Sequence, residues 1–171
     1  APRRGGGAHQ VRDRLARRPI VVAPGVYDAL TASIAADAGF EGLYLSGAGI
    51  AYTRLGRPDI GLVTMSEVAE ALTLIRERVD LPIVVDADTG FGNVTNVARA
   101  VRLYEKAGVA GLFIEDQVSP KRCGHMAGKA VVPPVEWLAK IKAALDARED
   151  PDFIIMARTD ALAVNGVDDA I

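Results

Sequence analysis

Five short apolar runs recur along this chain, and the segments between them have the apolar spacing of amphipathic helices. The runs are short and punctuated by glycine, proline or polar residues, and the first, at 20–23, places β-branched residues together, which is typical of a buried strand. We predict strands at 20–23, 43–45, 83–85, 111–114 and 153–156. Near-continuous apolar strands that alternate with helices form a parallel sheet covered by helices. The predicted class is therefore α/β.

Signals for helices follow the predicted strands. A capping box, Thr64 to Glu67, precedes one helix, and prolines at 133–134 begin another. Gly39 and Gly108 are suitable helix ends, and a further helix is expected to start after Asn165-Gly166. The apolar positions expected to form the buried helix faces are Leu30, Ile34, Ala35 and Ala38; Val68, Ala71, Leu72 and Ile75; Val94, Val97, Val101 and Tyr104; and Val135, Leu138, Ile141 and Leu145.

The first residues differ from the rest in composition. Residues 1–7 are rich in Ala, Arg and Gly, so we predict a flexible tail, with His9 in solvent. Residues 11–18 are expected to form a short basic helix that Pro19 ends.

Composition excludes several classes of protein. Of the 171 residues, 50% are hydrophobic and 25% are charged, which fits one globular domain. The net charge is -2 with acids and bases interspersed, so a nucleic-acid partner is not expected. Apolar runs shorter than a spanning helix and the lack of a signal sequence predict neither membrane insertion nor secretion. The single cysteine cannot form an internal disulfide, which predicts a reducing, cytoplasmic location.

Two α/β folds agree with this pattern. Each predicted strand ends in a polar or glycine-rich segment, and both the (β/α)₈ barrel and the doubly wound sheet place their sites there. Five strands complete a doubly wound sheet, whereas a barrel of roughly 250 residues would lack about three βα units. The strand pattern alone leaves both folds open.

Acidic residues cluster at these strand ends. Asp86 and Asp88 are two positions apart, so both side chains face the same side. Two adjacent carboxylates repel unless a cation lies between them, and oxygen ligands suit Mg²⁺ or Mn²⁺. The alternative is that these acids cap the next helix or bind loop amides. Glu115 at the end of the next strand, and Asp59 in a rim loop, favour the metal site.

The cysteine lies in a charged, glycine-rich loop. Cys123 follows Lys121 and Arg122 and precedes His125. Nearby cations stabilise a thiolate, so we expect a thiol competent in proton transfer rather than a buried structural cysteine. His125 is equally compatible with a purely structural hydrogen bond.

Three further features are candidates for substrate contacts. Residues 46–48, Ser-Gly-Ala, form a predicted loop of small residues whose backbone N–H groups could bind a carboxylate. Arg158 is a candidate fork for a carboxylate, with a solvated surface arginine as the alternative. Tyr44 is expected to point either toward a helix layer or toward the barrel axis.

Five motifs together carry a family resemblance. They read S-G-A-G, R-P-D-I-G, D-A-D-T-G-F-G-N, I-E-D-Q-V-S-P-K-R-C-G-H and M-A-R-T-D-A, in this order. The chain resembles the isocitrate lyase and phosphoenolpyruvate mutase superfamily, most of all 2-methylisocitrate lyase and related short-chain lyases. The resemblance implies a Mg²⁺-dependent (β/α)₈ TIM barrel and a homotetramer. Residues 1–19 would then be a tail and short helix, and 20–171 a partial catalytic barrel of roughly five βα units.

The resemblance also implies residue roles. Asp86 would be the direct metal ligand, and metal-bound waters would be held by Asp59, Asp88 and Glu115. The substrate-binding residues would be Ser46, Gly47, Ala48, Gly124 and Arg158. The catalytic group would be Cys123, Lys121, His125, Arg158 and Tyr44, with Cys123 protonating the carbanion-like carbon and Tyr44 near the alkoxide.

The activity implied is cleavage of a 2-methylisocitrate-like 2-hydroxy acid to pyruvate, or another 2-oxo acid, plus a dicarboxylate. Ala48 replaces a glycine found in many such lyases, and the residues after His125 also differ, which bears on the substrate. The alternatives are an oxaloacetate decarboxylase or hydrolase, a dimethylmalate lyase, a carboxyphosphonoenolpyruvate phosphonomutase-like enzyme, and an inactive fragment or binding module should the chain end at residue 171.

Overall fold

A five-stranded parallel sheet organises the fold. The structure is a computed structural model that describes residues 7–16 and 20–171. The strands are β1 (Gly25–Val26), β2 (Leu43–Leu45), β3 (Ile83–Asp86), β4 (Gly111–Glu115) and β5 (Ile154–Arg158). They lie in the order β1-β2-β3-β4-β5, and each pairs in parallel with the next. A doubly wound sheet reverses its strand order at a switch point, whereas a barrel keeps the order of the sequence. The fold is therefore the predicted one, five consecutive strands of a (β/α)₈ barrel.

The first strand lies later in the chain than predicted. Residues 20–24 are not a strand, and Ile20 and Val22 are exposed. The register pairs Gly25 with Tyr44. Residues 20–23 would therefore lie opposite 39–42, which are outside β2 and begin with the positive-φ Gly39. The prediction at 20–23 was wrong because no strand is available there for pairing.

Helices precede the first strand, occupy the intervals between the strands and follow the last strand. They are α1 (Ala8–Leu15), α2 (Ala29–Asp37), α3 (Gly47–Ile50), a π-helix (Ala51–Leu55), α4 (Met65–Arg76), α5 (Val94–Lys106), α6 (Pro134–Ala147), α7 (Ala161–Val164) and α8 (Val167–Ala170). The basic helix predicted at 11–18 begins earlier, at Ala8, and ends at Leu15. His9 is exposed, as predicted. Residues 1–6 and 17–19, which include most of the predicted tail and Pro19, lie outside the described residues.

Side-chain caps explain where the longer helices begin. The Thr64 side chain accepts from the Glu67 backbone N–H, and Glu67 accepts from the Thr64 N–H in return, which confirms the predicted capping box of α4. Asp28 with Thr31 forms a box at α2, and Asn93 caps α5. Within the described residues, no helix is both long and apolar enough to cross a membrane.

The core lies between the sheet and helices α4 and α5. The predicted faces of these two helices are mostly buried, including Leu72, Ile75, Val101 and Tyr104. On α2, Ala35 is buried but Leu30 and Ile34 are exposed, contrary to the prediction.

The predicted face of α6 was also wrong. Val135, Leu138 and Leu145 are exposed, and α6 instead buries Lys140, Ala144 and Ala147. Small side chains allow α6 to pack closely on α5. The large apolar residues that define the sequence pattern lie on another face of the same helix.

Candidate active site

Four carboxylates meet at the carboxyl ends of β3 and β4. Asp86 is the last residue of β3 and Glu115 the last residue of β4. Asp88 lies in the turn after β3, and Asp59 lies in the connection between the π-helix and α4. All four side chains are buried. The structure thus places the four predicted metal ligands in one region of the sheet rim.

The turn after β3 fixes the two aspartates relative to β4. Asp88 has a positive φ of 46°, and its backbone N–H donates to Asp86 Oδ1 at 3.0 Å. The Glu115 N–H donates to the Asp88 carbonyl at 2.8 Å. A left-handed aspartate is uncommon in proteins, so this turn has an unusual geometry at the rim.

Lys121 belongs to the carboxylate cluster. Its Nζ lies 2.6 Å from both carboxylate oxygens of Asp59 and 2.9 Å from Asp88 Oδ1. Burial alone would lower the pKa of Lys121, but Asp88 and Asp59 outweigh it and raise the pKa, so the ammonium stays charged. Lys121 thus forms ion pairs with Asp59 and Asp88, whereas the predicted role of Lys121 was to support Cys123.

The cluster carries more negative than positive charge. Burial raises the pKa of Asp86, and burial with the Asp86 charge raises the pKa of Asp88 to about 6. Burial raises the pKa of Glu115 to about 7, although Arg158 and Lys121 oppose the shift. Glu115 Oε1 is buried without a hydrogen-bond partner. The two cations that pair with this cluster, Lys121 and Arg158, do not balance the charge of its four carboxylates.

This donor set fits a Mg²⁺ ion. All the donors are oxygens, one oxygen is buried and unpartnered, and the charge deficit calls for a cation. Among the described residues, no three His, Cys, Asp or Glu side chains converge as a direct coordinating group. Mg²⁺ commonly uses only one or two carboxylates and keeps several waters, so a site with one direct ligand agrees with this arrangement.

Tyr44 points toward the acids, not toward a helix layer. Its hydroxyl donates to Asp86 Oδ2 at 3.0 Å, and its ring stacks on Phe113 with 5.5 Å between centroids. Burial and the Asp86 charge raise the pKa of Tyr44, so the hydroxyl keeps its proton near neutral pH.

Phe113 was missed by the sequence analysis. Its ring contacts Tyr44 on one side and lies 5.9 Å from the Arg158 guanidinium carbon. Phe113 is two positions before Glu115 in β4, and alternate residues of a strand face the same side. The rule that linked Asp86 and Asp88 would therefore also have placed Phe113 beside Glu115.

Arg158 is paired with carboxylates. Its Nη1 lies 3.2 Å from Glu115 Oε2, and its Nη2 donates to Asp160 Oδ2 at 3.3 Å. The side chain is 39% exposed, so part of the guanidinium remains accessible. Arg158 is therefore not a solvated surface arginine without partners, because it pairs with Glu115 and Asp160.

Residues 46–48 form a helix start, not the predicted loop. Ser46 caps α3, and its Oγ accepts from the Gly49 N–H at 3.0 Å. The Gly47 N–H donates to Asp86 Oδ2 at 3.3 Å, and a Cβ at this position would lie 3.2 Å from the same oxygen. Ala48 follows in α3, half-buried. A backbone donor therefore reaches the acid cluster, but it is already used by Asp86.

The cysteine loop, defined here as residues 117–129, is anchored to the acids through its backbone. The Cys123 N–H donates to the Asp59 carbonyl at 3.0 Å, and the Cys123 carbonyl accepts from the Met126 N–H at 2.8 Å. Cys123 Sγ lies 3.7 Å from His125 Nδ1, and the thiol is only partly buried. Gly124 contacts Arg158, since a Cβ there would lie 2.6 Å from Nη2. The loop and Arg158 thus form one side of the candidate site.

Comparison with known proteins identifies similar chains. Residues 11–171 match the family model described as phosphoenolpyruvate phosphomutase. The chain is 50% identical over 164 residues to 2,3-dimethylmalate lyase of Eubacterium barkeri, covering 96% of this chain and 57% of that protein. It is 50% identical over 161 residues to 2-methylisocitrate lyase of Aeropyrum pernix, covering 94% and 51%.

Solved structures show the same likeness. A structure of oxaloacetate acetylhydrolase with 3,3-difluorooxalacetate has a TM-score of 0.91 and 39% identity, covering 97% of this chain and 57% of that one. A phosphonopyruvate hydrolase complex with oxalate and Mg²⁺ has a TM-score of 0.84 and 32% identity, covering 95% and 56%. The chain spans about half the length of the curated relatives it matches.

Proposed function

We propose that the protein, which belongs to the phosphoenolpyruvate phosphomutase family, cleaves a carbon–carbon bond in a substituted 2-hydroxy acid of the 2-methylisocitrate type. The products would be pyruvate, or another 2-oxo acid, and a dicarboxylate. One observation carries the proposal: the buried acid cluster and the partly exposed Cys123 thiol lie on the same rim, because the Cys123 N–H is bonded to the Asp59 carbonyl.

The acid cluster would hold Mg²⁺, with Mn²⁺ as a possible substitute. Asp86 would be the direct ligand, and Asp59, Asp88 and Glu115 would act through water. When bound, the ion would stabilise negative charge on the substrate hydroxyl oxygen and the adjacent carboxylate. The similar phosphonopyruvate hydrolase, which forms a complex with oxalate and Mg²⁺, supports this choice of metal.

Arg158 would bind the carboxylate end of the substrate. Its planar guanidinium matches a carboxylate in two-point geometry, the side chain is partly exposed, and Nη2 lies beside Gly124 of the cysteine loop. Ser46, Gly47 and Ala48 would lie at the same end, at the start of α3. The Tyr44 hydroxyl keeps its proton, so it would not act as the base, and it would donate to the substrate oxygen in place of Asp86.

Cys123 would supply the proton that completes the cleavage. The substrate hydroxyl proton would pass to a carboxylate of the acid cluster, and the hydroxyl oxygen would become the 2-oxo group as the C–C bond breaks. The electron pair of that bond would pass to the carbon that carries the carboxylate of the departing fragment. The Cys123 thiol would protonate that carbon, and His125, 3.7 Å away, would stabilise the resulting thiolate.

A second candidate substrate is 2,3-dimethylmalate, which has one carboxylate fewer. Lys121 and Lys129 are buried and paired with Asp59 and Asp160. Arg158 is also paired, with Glu115 and Asp160, but its side chain is partly exposed and accessible to a carboxylate. A dicarboxylate needs fewer cations, and the 50% identity to a 2,3-dimethylmalate lyase supports the same candidate.

Product identification tests the function. The full-length protein would be incubated with Mg²⁺ and 2-methylisocitrate, 2,3-dimethylmalate, oxaloacetate or a phosphoenolpyruvate-like compound, each separately, and the products identified by proton and phosphorus NMR. Pyruvate with succinate supports the first candidate, and pyruvate with propionate the second. Oxalate with acetate, or phosphorus–carbon bond chemistry on a phosphoenolpyruvate-like compound, without cleavage of either hydroxy acid, would overturn the proposal.

We also propose a homotetramer in the cytoplasm. The relationship to the family supports the tetramer that the resemblance implies. The single cysteine suits a reducing compartment. Light scattering on the full-length protein would test the subunit number, and a monomeric mass would contradict it.

A further inference from the structure

One buried carboxylate holds both ends of the cysteine loop. Asp160 follows β5, and its side chain is 8% exposed. Its Oδ2 accepts a hydrogen bond from Gln117 Nε2 at 2.9 Å, and its Oδ1 accepts from Lys129 Nζ at 2.8 Å. Gln117 and Lys129 are the first and last residues of the loop, so a single side chain connects its two ends.

The same two side chains continue to the neighbours of Cys123. Lys129 Nζ also donates to the Gly124 carbonyl at 2.8 Å. Gln117 Nε2 donates to the Arg122 carbonyl at 2.9 Å, and the Arg122 N–H donates back to Gln117 Oε1 at 2.9 Å. The residues immediately before and after Cys123 are therefore both bonded to partners of Asp160.

Asp160 is itself held in place. Its N–H donates to Asp116 Oδ1 at 2.9 Å, and its Oδ2 accepts from Arg158 Nη2 at 3.3 Å. Burial alone would raise the pKa of Asp160, but the bonds from Lys129 and Gln117 and the Arg158 charge lower it, so the group stays ionised. A charged carboxylate with three donors gives stronger bonds than neutral partners would.

We propose that Asp160 and Lys129 are positioning residues that fix the Cys123 thiol by holding Arg122 and Gly124. Neither side chain need contact the substrate, because each acts through the backbone around Cys123. The part of this inference that concerns turnover rests on the proposed function, whereas the effect on the thiol itself does not.

Lys129→Met tests the inference, because methionine keeps the length of the side chain and removes its donors. The readout is the alkylation rate of Cys123 by iodoacetamide in the full-length protein, mapped by peptide mass spectrometry. We expect the rate to rise about tenfold, the equivalent of losing one charge-assisted hydrogen bond. We also expect kcat to fall while KM changes little. Lys129→Arg, which keeps the charge and the donors, should restore much of both values.

Lys142→Met is the matched control. Lys142 is exposed and, within residues 7–16 and 20–171, its ion pair is with Asp146 on the same helix, so alkylation and kcat should stay at the wild-type values. If Lys129→Met does not fold, Lys129→Gln, which retains an amide donor, takes its place. An alkylation rate that is unchanged in folded Lys129→Met, or in Lys129→Gln where it takes its place, overturns the inference. A wild-type protein that cleaves no hydroxy acid, but whose thiol still responds to Lys129→Met, contradicts the proposed function alone.

Discussion

Glu115 has an electrostatic environment that makes stability depend on pH. Its carboxylate is buried, one oxygen has no hydrogen-bond partner, and its pKa is raised from 4.5 to about 7. The folded state therefore keeps a proton at pH values where the unfolded chain has lost it. The stability from this group is complete below about pH 4.5 and is lost as the pH rises through about 7. Asp88, with a pKa of about 6, acts in the same direction.

In EDTA, we expect the thermal midpoint to fall as the pH rises from 5 to 8. Glu115→Gln should reduce this fall, because glutamine has no proton to lose, and added Mg²⁺ should reduce it in the wild type. Differential scanning fluorimetry across this pH range measures the effect. The same slope in the wild type and in Glu115→Gln would contradict the assignment.

Gly124 leaves space that Arg158 needs. A Cβ at this position would lie 2.6 Å from Arg158 Nη2, so Gly124→Ala must displace the guanidinium. We expect KM for the substrate carboxylate to rise about tenfold or more, the scale of one weakened charge-assisted contact. Gly42→Ala is the control, since its Cβ would have ordinary contacts at 3.8 Å. Steady-state kinetics that show equal KM values for the two variants would contradict this role.

Among the elements, α4 depends on its capping box. Thr64→Ala removes the side-chain acceptor for the Glu67 N–H, so we expect a loss of about 1 kcal/mol in the free energy of unfolding. Thr73→Ala, within the same helix and exposed, should change stability little. Urea denaturation of both variants compares them, and an equal loss in the two would show that the box is not important.

The success of prediction also differs between elements. β3 and β4 were located well because their apolar runs coincide with strands that are paired on both sides. The strand at 20–23 was placed wrongly because a strand needs a partner, and β2 begins too late in the chain to pair with these residues. The buried face of α6 was placed wrongly because α6 packs on α5 through small side chains rather than through its large apolar ones. Local pattern carries no information on either partner.

At the scale of the whole molecule, strand order connects the sequence to the site. The carboxyl ends of parallel strands lie along one rim, so Asp86, Asp88 and Glu115 could be grouped from the sequence alone. The contacts between the loops and the acidic side chains of the site could not be predicted from the sequence. Lys121 reaches Asp59 across 62 residues, and Gln117 reaches Asp160 across 43. Such contacts depend on loop conformation, which the apolar pattern does not specify.

The turnover of Cys123→Ser tests the central claim most directly. Serine keeps the size of the side chain but is a much weaker acid than a thiol, so the full-length variant should fold with an unchanged thermal midpoint. We predict that its kcat for 2-oxo acid release falls by about 10²–10⁴, the usual contribution of a general acid. Near-normal turnover by Cys123→Ser in the presence of Mg²⁺ would contradict the account.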